Sequence, residues 1–240
     1  MQFADFVTVG FNQIVNNLAK LHYRWGENAD VVIRMPTGAG VGAGPFHSQS
    51  NEAWFSHTPG LKVLYPSNPE DAKGLMLAAI EDPNPVMIFE HKALYRSLSG
   101  MVPENYYVTP IGKAKLIEKG NDLSIITYGM GVHWAKKAIK EKNISADVLD
   151  LRTLLPLDKE SIFQSVKKTN KVLILHEDCL TGGIGGEISS LISENCFESL
   201  DAPVIRCASL DTPVPFASDL EDQFLANKNL NEKIDYLLNY

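Results

Sequence analysis

The sequence predicts an α/β protein of two doubly wound domains, each a largely parallel sheet with crossover helices. Short apolar runs alternate with amphipathic stretches, the alternation pauses over residues 92–121, and then it starts again. Strand and helix in alternation favour parallel pairing, because parallel strands need a crossover connection. We place the boundary within the pause, which gives a partial first domain over residues 1–105 and a complete second domain over residues 106–240.

The first domain is predicted to begin with a helix and to hold three strands. Apolar residues recur at helical spacing from Phe3 to Leu21, almost from the first residue and with no strand before them. Ser67 or Asn68 is a candidate cap for a helix that has Pro69 in its first turn. Asn51 is a candidate cap for a short helix that follows it. The predicted elements are helices over 3–23, 51–55 and 69–80 and strands over 31–34, 61–65 and 86–90.

The second domain repeats the alternation to completion. Asp158 is a candidate helix cap, and Gly129 marks the turn between a strand and a helix. We expect short strand character near the domain start and then a regular series. The predicted strands cover 113–118, 123–128, 146–151, 171–176 and 203–208, and the predicted helices cover 130–142, 158–168, 182–195 and 229–239.

Composition and charge exclude several classes of function. The chain has 240 residues, of which 45% are hydrophobic and 21% charged, with a formal net charge of −7. A negative chain is a poor ligand for nucleic-acid phosphates or an anionic membrane surface. No apolar run reaches the roughly 18 residues of a membrane span, and the first residues lack a signal-peptide pattern. Three dispersed cysteines indicate free thiols in a reducing compartment, and we expect a cytoplasmic protein.

One glycine-rich stretch is the leading candidate for a functional site. We call residues 38–49 the glycine loop: it follows a short apolar run and ends with His47. Glycines at every second position indicate a backbone that turns sharply or approaches another group closely. A histidine carried by such a loop is a candidate acid, base or hydrogen-bond donor. A phosphate-type loop and an ordinary surface turn both remain open from this pattern alone.

Three further features are weaker candidates. The glycines of residues 182–186 follow a strand and open a helix, where free amides can bind phosphate. The cluster lacks the lysine of a nucleotide-binding loop, which favours tight helix packing instead. The segment His176-Glu177-Asp178 ends a strand, so it could be a site, an interface or a hydrogen-bonded terminus. Arg152 could pair with an acid such as Asp150, which the sequence does not decide.

Several motifs together resemble one enzyme family. They include Gln2-Phe-Ala-Asp-Phe, Arg34-Met-Pro with the glycine loop and His47-Ser-Gln-Ser, Pro59-Gly-Leu-Lys-Val-Leu-Tyr-Pro, Pro69-Glu-Asp-Ala-Lys-Gly-Leu, Asp82-Pro-Asn-Pro-Val, Asp150-Leu-Arg-Thr-Leu-Leu-Pro-Leu-Asp, His176-Glu and Asp211-Thr-Pro-Val-Pro-Phe-Ala. The chain resembles the β subunit, or the β half of a fused chain, of thiamine-diphosphate-dependent 2-oxo acid dehydrogenases of the pyruvate and branched-chain type. The motifs occur in order over nearly all 240 residues.

The resemblance implies a partial transketolase-like pyrimidine-binding domain followed by a transketolase C-terminal-like domain. It implies oxidative decarboxylation of a 2-oxo acid and acyl transfer to lipoyl groups. His47 matches the histidine that assists acyl transfer, and Gln2 and Phe6 match positions beside the aminopyrimidine of thiamine diphosphate. A tyrosine is common where Phe6 stands, so a hydroxyl contact would be lost. A structural potassium ion is implied at Val31, Ala79, Ile80, Asp82 and Asn84.

The resemblance also implies partners. These are an α subunit that binds the diphosphate with magnesium, a second β copy, lipoyl domains and the dihydrolipoyl acyltransferase core, with no role for nucleic acid or membrane. The family's cofactor-activating glutamate would lie before Gln2, so we expect this chain to be incomplete alone. A non-catalytic assembly module and another transketolase-like enzyme, such as a sugar-phosphate synthase, remain alternatives. The choice between pyruvate and branched-chain acids stays open.

Overall fold

The computed structural model describes all 240 residues and contains two sheets with helices around them. The first sheet has four strands in the order β1-β3-β2-β7, and the second has five in the order β4-β6-β5-β8-β9. The strands are β1 (Val32–Thr37), β2 (Lys62–Leu64), β3 (Val86–His91), β4 (Lys115–Glu118), β5 (Leu123–Thr127), β6 (Ala146–Asp150), β7 (Thr153–Leu155), β8 (Val172–Cys179) and β9 (Ile205–Ser209). The predicted α/β class with mostly parallel sheets is confirmed.

Parallel pairing dominates both sheets, and each has one antiparallel edge strand. β1 and β2 both pair with β3 in parallel, and β6, β5, β8 and β9 form a continuous parallel series. The edge strands β7 and β4 run antiparallel to β2 and β6. The sequence did not predict β7, which lies within the second predicted domain yet completes the first sheet. The division near residue 105 stays a prediction.

The helices lie close to their predicted positions. They are α1 (Leu21–Trp25), α2 (Glu52–Ser56), α3 (Pro69–Glu81), α4 (Leu94–Ser97), α5 (Met130–Lys142), α6 (Lys159–Thr169), α7 (Ile184–Cys196), α8 (Ser218–Phe224) and α9 (Leu230–Leu238). Asn68 caps α3 by accepting from the N–H of Asp71 at 2.8 Å, and Asp158 caps α6. The expected cap of α2 is wrong, because the Asn51 amide donates to Ala4 O instead. The helices α4 and α8 were not predicted.

The N-terminal segment is helical but irregular. It runs through 3₁₀ turns over Ala4–Gly10, a π turn over Gln13–Asn17 and 3₁₀ turns over Leu18–Lys20 before α1. The buried residues Ala4 and Val7 are three apart, whereas Ile14 and Ala19 are five apart. Tight turns suit the first spacing and a wide turn suits the second, so the irregular turns keep these residues on the core side.

One apolar core connects the two sheets. A cluster of 24 buried residues includes Phe55 and Phe89 beside the first sheet and Ile126 and Ile174 in the second. The ring centroids of Tyr65 and Tyr128 lie 5.2 Å apart within it. The N-terminal segment belongs to this core through Ala4, Val7, Ile14 and Ala19, whereas Ala39 of the glycine loop packs in a separate small cluster with Val214 and Phe224. No helix combines the length and the apolarity that a bilayer crossing needs.

Candidate active site

The glycine loop begins where β1 ends, and its four glycines adopt a left-handed backbone. Their φ angles lie between 68° and 92°, a region that side chains with a Cβ atom disfavour. Gly38 also lies against the His91 ring, so closely that a Cβ atom would overlap the imidazole. The loop conformation therefore requires glycine, as the spacing predicted. The functional reading of the loop depends on what its backbone groups contact.

Two carboxylates accept hydrogen bonds from the backbone amides of the loop. Glu177 Oε1 accepts from the N–H of Ala39 at 2.6 Å. Glu221 accepts from the N–H of Gly40 at 2.9 Å and of Gly42 at 3.1 Å. Successive amides of this kind form an anion-binding concavity, and here the protein's own acids fill it. The loop is therefore not arranged to bind a phosphate group.

Glu177 also pairs with a buried histidine. Its second oxygen lies 2.6 Å from His91 Nε2. Because His91 Nδ1 accepts from the N–H of Ala93 at 3.3 Å, Nε2 carries the proton that faces Glu177. From the sequence, three interpretations of the segment around Glu177 remained open: a functional site, an interface or a hydrogen-bonded strand terminus. The structure shows that Glu177 joins β8 to β3 and to the glycine loop.

His47 packs between two aromatic rings at the far end of the loop. The centroid of its imidazole lies 4.8 Å from that of Phe3 and 5.4 Å from that of Phe6, both in edge-to-face geometry. Phe6 is 39% exposed and His47 is half-buried. An exposed ring beside an imidazole forms a surface on which a planar aromatic group can stack.

The N-terminal residues are brought to the same surface. The Met1 ammonium donates to Arg34 O at 2.9 Å, which holds the start of the chain against β1. Gln2 is exposed and lies between this anchor and Phe3, whose ring contacts His47. The predicted residues Gln2, Phe6 and His47 thus occupy one region. Their contacts with a cofactor stay predictions.

Lys92 contacts both ends of the glycine loop, and no sequence pattern indicated this residue. It follows β3, and its N–H donates to Thr37 O at 2.9 Å. The ammonium donates to Gly38 O at 2.6 Å and also to His47 O. It lies 5.6 Å from the centre of the Phe3 ring. Burial lowers the pKa of Lys92, and the acids Asp5, Glu177 and Glu221 oppose that shift.

A buried acidic group lies behind the loop. Glu52 is fully buried, and its Oε1 accepts from the Tyr128 hydroxyl at 2.7 Å. Burial, with the nearby Asp178, raises the pKa of Glu52 well above its usual value. Burial also raises the pKa of Asp178 to about 7. These carboxyl groups lie between α2 and the end of β8, where the two sheets meet.

An open cleft of about 740 Å³ borders this region. Its walls include Phe6, Phe46, Asn51, Asp178 and Asp211. The cleft separates the glycine-loop side from the segment after β9. Its walls are acidic and aromatic, and they carry no lysine or arginine. This composition argues against a phosphate-binding role for this cleft.

The five predicted potassium residues lie around the end of α3 and the start of β1. The Asp82 carboxylate pairs with the Lys62 ammonium and accepts from Asn84 N–H at 2.9 Å. Val31 O accepts from the N–H of Val86 at 2.9 Å. Pro83 has no N–H to donate to Ala79 O, so a helix-end carbonyl lacks its usual donor. Potassium binding here stays a prediction.

The second glycine cluster serves packing. A Cβ atom added to Gly183 would lie 2.6 Å from the His176 ring, and one added to Gly185 would lie 2.5 Å from it. The His176 side chain is fully buried, and burial lowers its pKa to about 4. Close helix packing, which the sequence favoured over phosphate binding, accounts for these glycines. The Arg152 guanidinium pairs with Asp71 at 2.9 Å and not with the Asp150 carboxylate, which accepts from the Arg152 backbone N–H and from the Ser67 hydroxyl.

Two family descriptions match the chain. Residues 1–97 match "Transketolase, pyrimidine binding domain", and residues 112–229 match "Transketolase, C-terminal domain". A solved structure described as a split gene transketolase, an inactive β4 tetramer, superposes with a TM-score of 0.78 at 22% identity. The match covers 99% of this chain and 74% of that one. At this identity the likeness shows the fold.

Curated relatives are closer in sequence. The chain is 47% identical over 233 residues to the 2-oxoisovalerate dehydrogenase subunit beta of Bacillus subtilis, covering 95% of this chain and 71% of that protein. It is 43% identical over 235 residues to the mitochondrial subunit beta 2 of Arabidopsis thaliana, covering 95% and 65%. It is 45% identical over 230 residues to the acetoin:2,6-dichlorophenolindophenol oxidoreductase subunit beta of Bacillus subtilis, covering 94% and 67%. The chain therefore spans about two thirds of the length of these relatives, and it belongs to the β-subunit family of the thiamine-diphosphate-dependent 2-oxo acid dehydrogenases.

Proposed function

We propose that this chain provides the β-subunit part of the decarboxylating component of a 2-oxo acid dehydrogenase complex, acting on a branched-chain 2-oxo acid. The observation that carries the proposal is the grouping of Gln2, Phe6 and His47 on one surface, with the Phe6 and His47 ring centroids 5.4 Å apart. Two of the three relatives described above are 2-oxoisovalerate dehydrogenase subunits, which supports the substrate class.

We propose that this surface receives the ring end of thiamine diphosphate. Phe6 would stack against the aminopyrimidine, and Gln2 would offer it an amide. The diphosphate does not fit at the glycine loop, because Glu177 and Glu221 hold the loop amides. An α-type partner would therefore hold the diphosphate and magnesium. When bound, this cofactor supplies the carbon nucleophile on which a 2-oxo acid can lose carbon dioxide.

His47 would serve the acyl-transfer step. When a lipoyl disulfide takes up the acyl group, one sulfur becomes the thioester and the other leaves as a thiolate that needs a proton. An imidazolium beside the site can donate that proton to sulfur. The two electrons that the substrate loses reduce the disulfide. The edge-to-face contacts with Phe3 and Phe6 fix the imidazole in place.

The potassium ion is part of the proposal. The carbonyls of Ala79 and Ile80 lie at the C-terminal end of α3, where the helix dipole favours a cation. Asn84 N–H donates to the Asp82 carboxylate rather than to Ile80 O. Carbonyl oxygens and a carboxylate are ligands for a hard cation. The ion would share Asp82 with Lys62 and stabilise the turn between α3 and β3.

We also propose the partners that the family predicts: a second β copy, lipoyl domains and the dihydrolipoyl acyltransferase core. A cytoplasmic location belongs to the same proposal. The cysteines support this location, because Cys179, Cys196 and Cys207 are all free thiols, and the last two are buried. Free thiols suit a reducing compartment.

The test reconstitutes the chain with an α-type partner, thiamine diphosphate and magnesium. Decarboxylation is followed with 2,6-dichlorophenolindophenol as the electron acceptor, and acyl transfer with a lipoyl domain, using 2-oxoisovalerate and pyruvate. We expect His47→Ala to lower acyl transfer by about 10²- to 10⁴-fold, the range of proton-transfer catalysis, and decarboxylation much less.

His57→Ala is the matched control, because His57 is an exposed histidine at the end of α2. Equal loss in both steps for His47→Ala would contradict the assigned role. A stable complex that binds no thiamine diphosphate would instead identify the chain as an assembly module.

A further inference from the structure

Lys92 occupies a position that the proposed chemistry does not use. It lies just beyond the last strand residue, His91, where its backbone continues the pairing of β3 with β1 through Thr37. Its side chain extends from this fixed point toward the glycine loop. Each of the three donors of an ammonium group can satisfy a different acceptor.

The ammonium joins two points that are nine residues apart in the chain. It donates to Gly38 O, where the loop begins, and to His47 O, at the residue that carries the imidazole. A charged donor forms the stronger class of hydrogen bond with such carbonyls. One side chain therefore fixes the separation between the two ends of the loop.

The same ammonium also reaches the aromatic wall beside the imidazole. It lies 5.6 Å from the centre of the Phe3 ring, within the range of a cation–π contact. The Phe3 ring in turn contacts the His47 ring edge-on, with centroids 4.8 Å apart. Lys92 thus touches the His47 backbone directly and the His47 ring through Phe3.

We propose that Lys92 is a positioning residue for His47: its ammonium clamps the carbonyls of Gly38 and His47 and supports Phe3, and so sets the place of the imidazole. The consequence for acyl transfer rests on the proposed function. The clamp itself does not, because it concerns only the order of the glycine loop. The two parts can be tested by separate measurements.

Lys73 supplies a matched control. Its ammonium donates to the carbonyls of Glu104 and Asn105 and lies 5.0 Å from the centre of the Tyr107 ring. Lys73→Met therefore removes the same chemistry, an ammonium that joins backbone carbonyls and an aromatic ring, at a place that does not contact His47. Lys92→Met keeps the apolar stem and removes the charge and the donors.

The first measurement is amide hydrogen exchange of the full chain. We expect Lys92→Met to speed exchange within residues 38–49 by about tenfold or more, as follows from losing charged hydrogen bonds. Lys73→Met should leave these residues unchanged. Lys92→Arg keeps the cation and should protect the loop better than Lys92→Met, and it serves as the second variant if Lys92→Met does not fold. Unchanged loop exchange in Lys92→Met, or an arginine variant as fast as the methionine one, would overturn the proposal.

The second measurement uses the reconstituted complex. Displacement of a catalytic group costs up to about a hundredfold, so Lys92→Met should lower acyl transfer by tenfold to a hundredfold and leave dye-linked decarboxylation much less affected. Normal acyl transfer in Lys92→Met, when His47→Ala abolishes it, would also overturn the proposal. If His47→Ala has no effect on acyl transfer, the proposed role of His47 fails, and loop exchange alone decides whether Lys92 orders the loop.

Discussion

Glu221 accepts a hydrogen bond from the backbone N–H of Gly40 at 2.9 Å, across 181 positions of the chain. A glycine loop whose amides converge is often taken as a phosphate cradle, but here an internal carboxylate occupies it. The acid comes from α8, in the half of the chain that the loop does not belong to. The loop is thus shaped by the second half of the protein and presents His47 rather than a phosphate site.

The first prediction concerns this carboxylate. Glu221→Ala leaves the N–H groups of Gly40 and Gly42 without their acceptor, and Glu221 is only 5% exposed. We expect a loss of about 1–3 kcal/mol in the free energy of unfolding. Inorganic phosphate should then stabilise the variant, because it can accept hydrogen bonds from the N–H groups that donated to Glu221. It should not stabilise the unmodified chain, in which the carboxylate already accepts these bonds. Both effects are measured by denaturant unfolding with and without phosphate.

Asp222→Ala is the control for that experiment. Asp222 is the next residue, but it is exposed and pairs only with Lys228. It should change the free energy of unfolding by less than about 1 kcal/mol. Equal behaviour of the two variants would show that the Glu221 carboxylate does not hold the loop.

The second prediction concerns the ion pair of Arg152 with Asp71, which joins the two halves of the chain. The pair is 2.9 Å long, and the side chains are 11% and 3% exposed. Arg152→Met leaves the buried Asp71 carboxylate without its cationic partner and should lower the free energy of unfolding by about 3–5 kcal/mol. Adding Asp71→Asn should recover part of this loss, because the buried charge is then removed. Lys228→Met, at an exposed pair, is the control, and a double variant less stable than Arg152→Met would contradict the explanation.

Local patterns in the sequence were sufficient for most elements. The helix α5 begins at Met130 and ends at Lys142 as predicted, and Asp158 caps α6 as its spacing indicated. These features depend on neighbours within a few residues. The short strand β7 depends instead on pairing with β2, a strand of the other predicted domain, so its three residues carried no periodic signal of their own.

The residues of the candidate site show the same division between features set by local sequence and features set by long-range contacts. His47 and the glycines were identified because the loop is unusual in itself. Lys92 and Glu221 were missed because each contacts the loop across a long stretch of chain, 54 positions from Lys92 to Gly38 and 181 from Glu221 to Gly40. A lysine after a strand and a glutamate in a short helix are ordinary residues. Only the packing of the two halves gives them their contacts.

The third prediction concerns potassium. If the carbonyls at the end of α3 and Asp82 bind the ion, potassium should raise the melting temperature by about 2–4 °C relative to sodium at equal ionic strength. Asp82→Asn should abolish the difference. Lys62→Met leaves the Asp82 carboxylate without its ion-pair partner and should enlarge the difference in melting temperature between the two salts. Glu81→Gln, beside the site, is the control, and equal melting in the two salts would count against a potassium site.

The fourth prediction concerns Asp178 and pH. Burial raises the pKa of this carboxyl to about 7 in the folded chain, above the 3.8 of an ordinary aspartate. Between about pH 4 and pH 7 the folded state therefore holds a proton that the unfolded state has released, so stability falls as pH rises through that window. Asp150, whose pKa burial also raises to about 7, acts in the same direction.

Asp178→Asn removes one of these titrations and keeps an oxygen that can accept from Cys179 N–H. From pH 5 to pH 8 the free energy of unfolding should fall less in Asp178→Asn than in the unmodified chain, by an amount on the order of 2–4 kcal/mol. At pH 8 the variant should therefore be the more stable of the two proteins. Asp219→Asn, at an exposed position in α8, should leave the pH profile unchanged. Denaturant unfolding at the two pH values measures the difference. A pH profile for Asp178→Asn as steep as that of the unmodified chain would mean that this carboxyl is already ionised within the fold at pH 5.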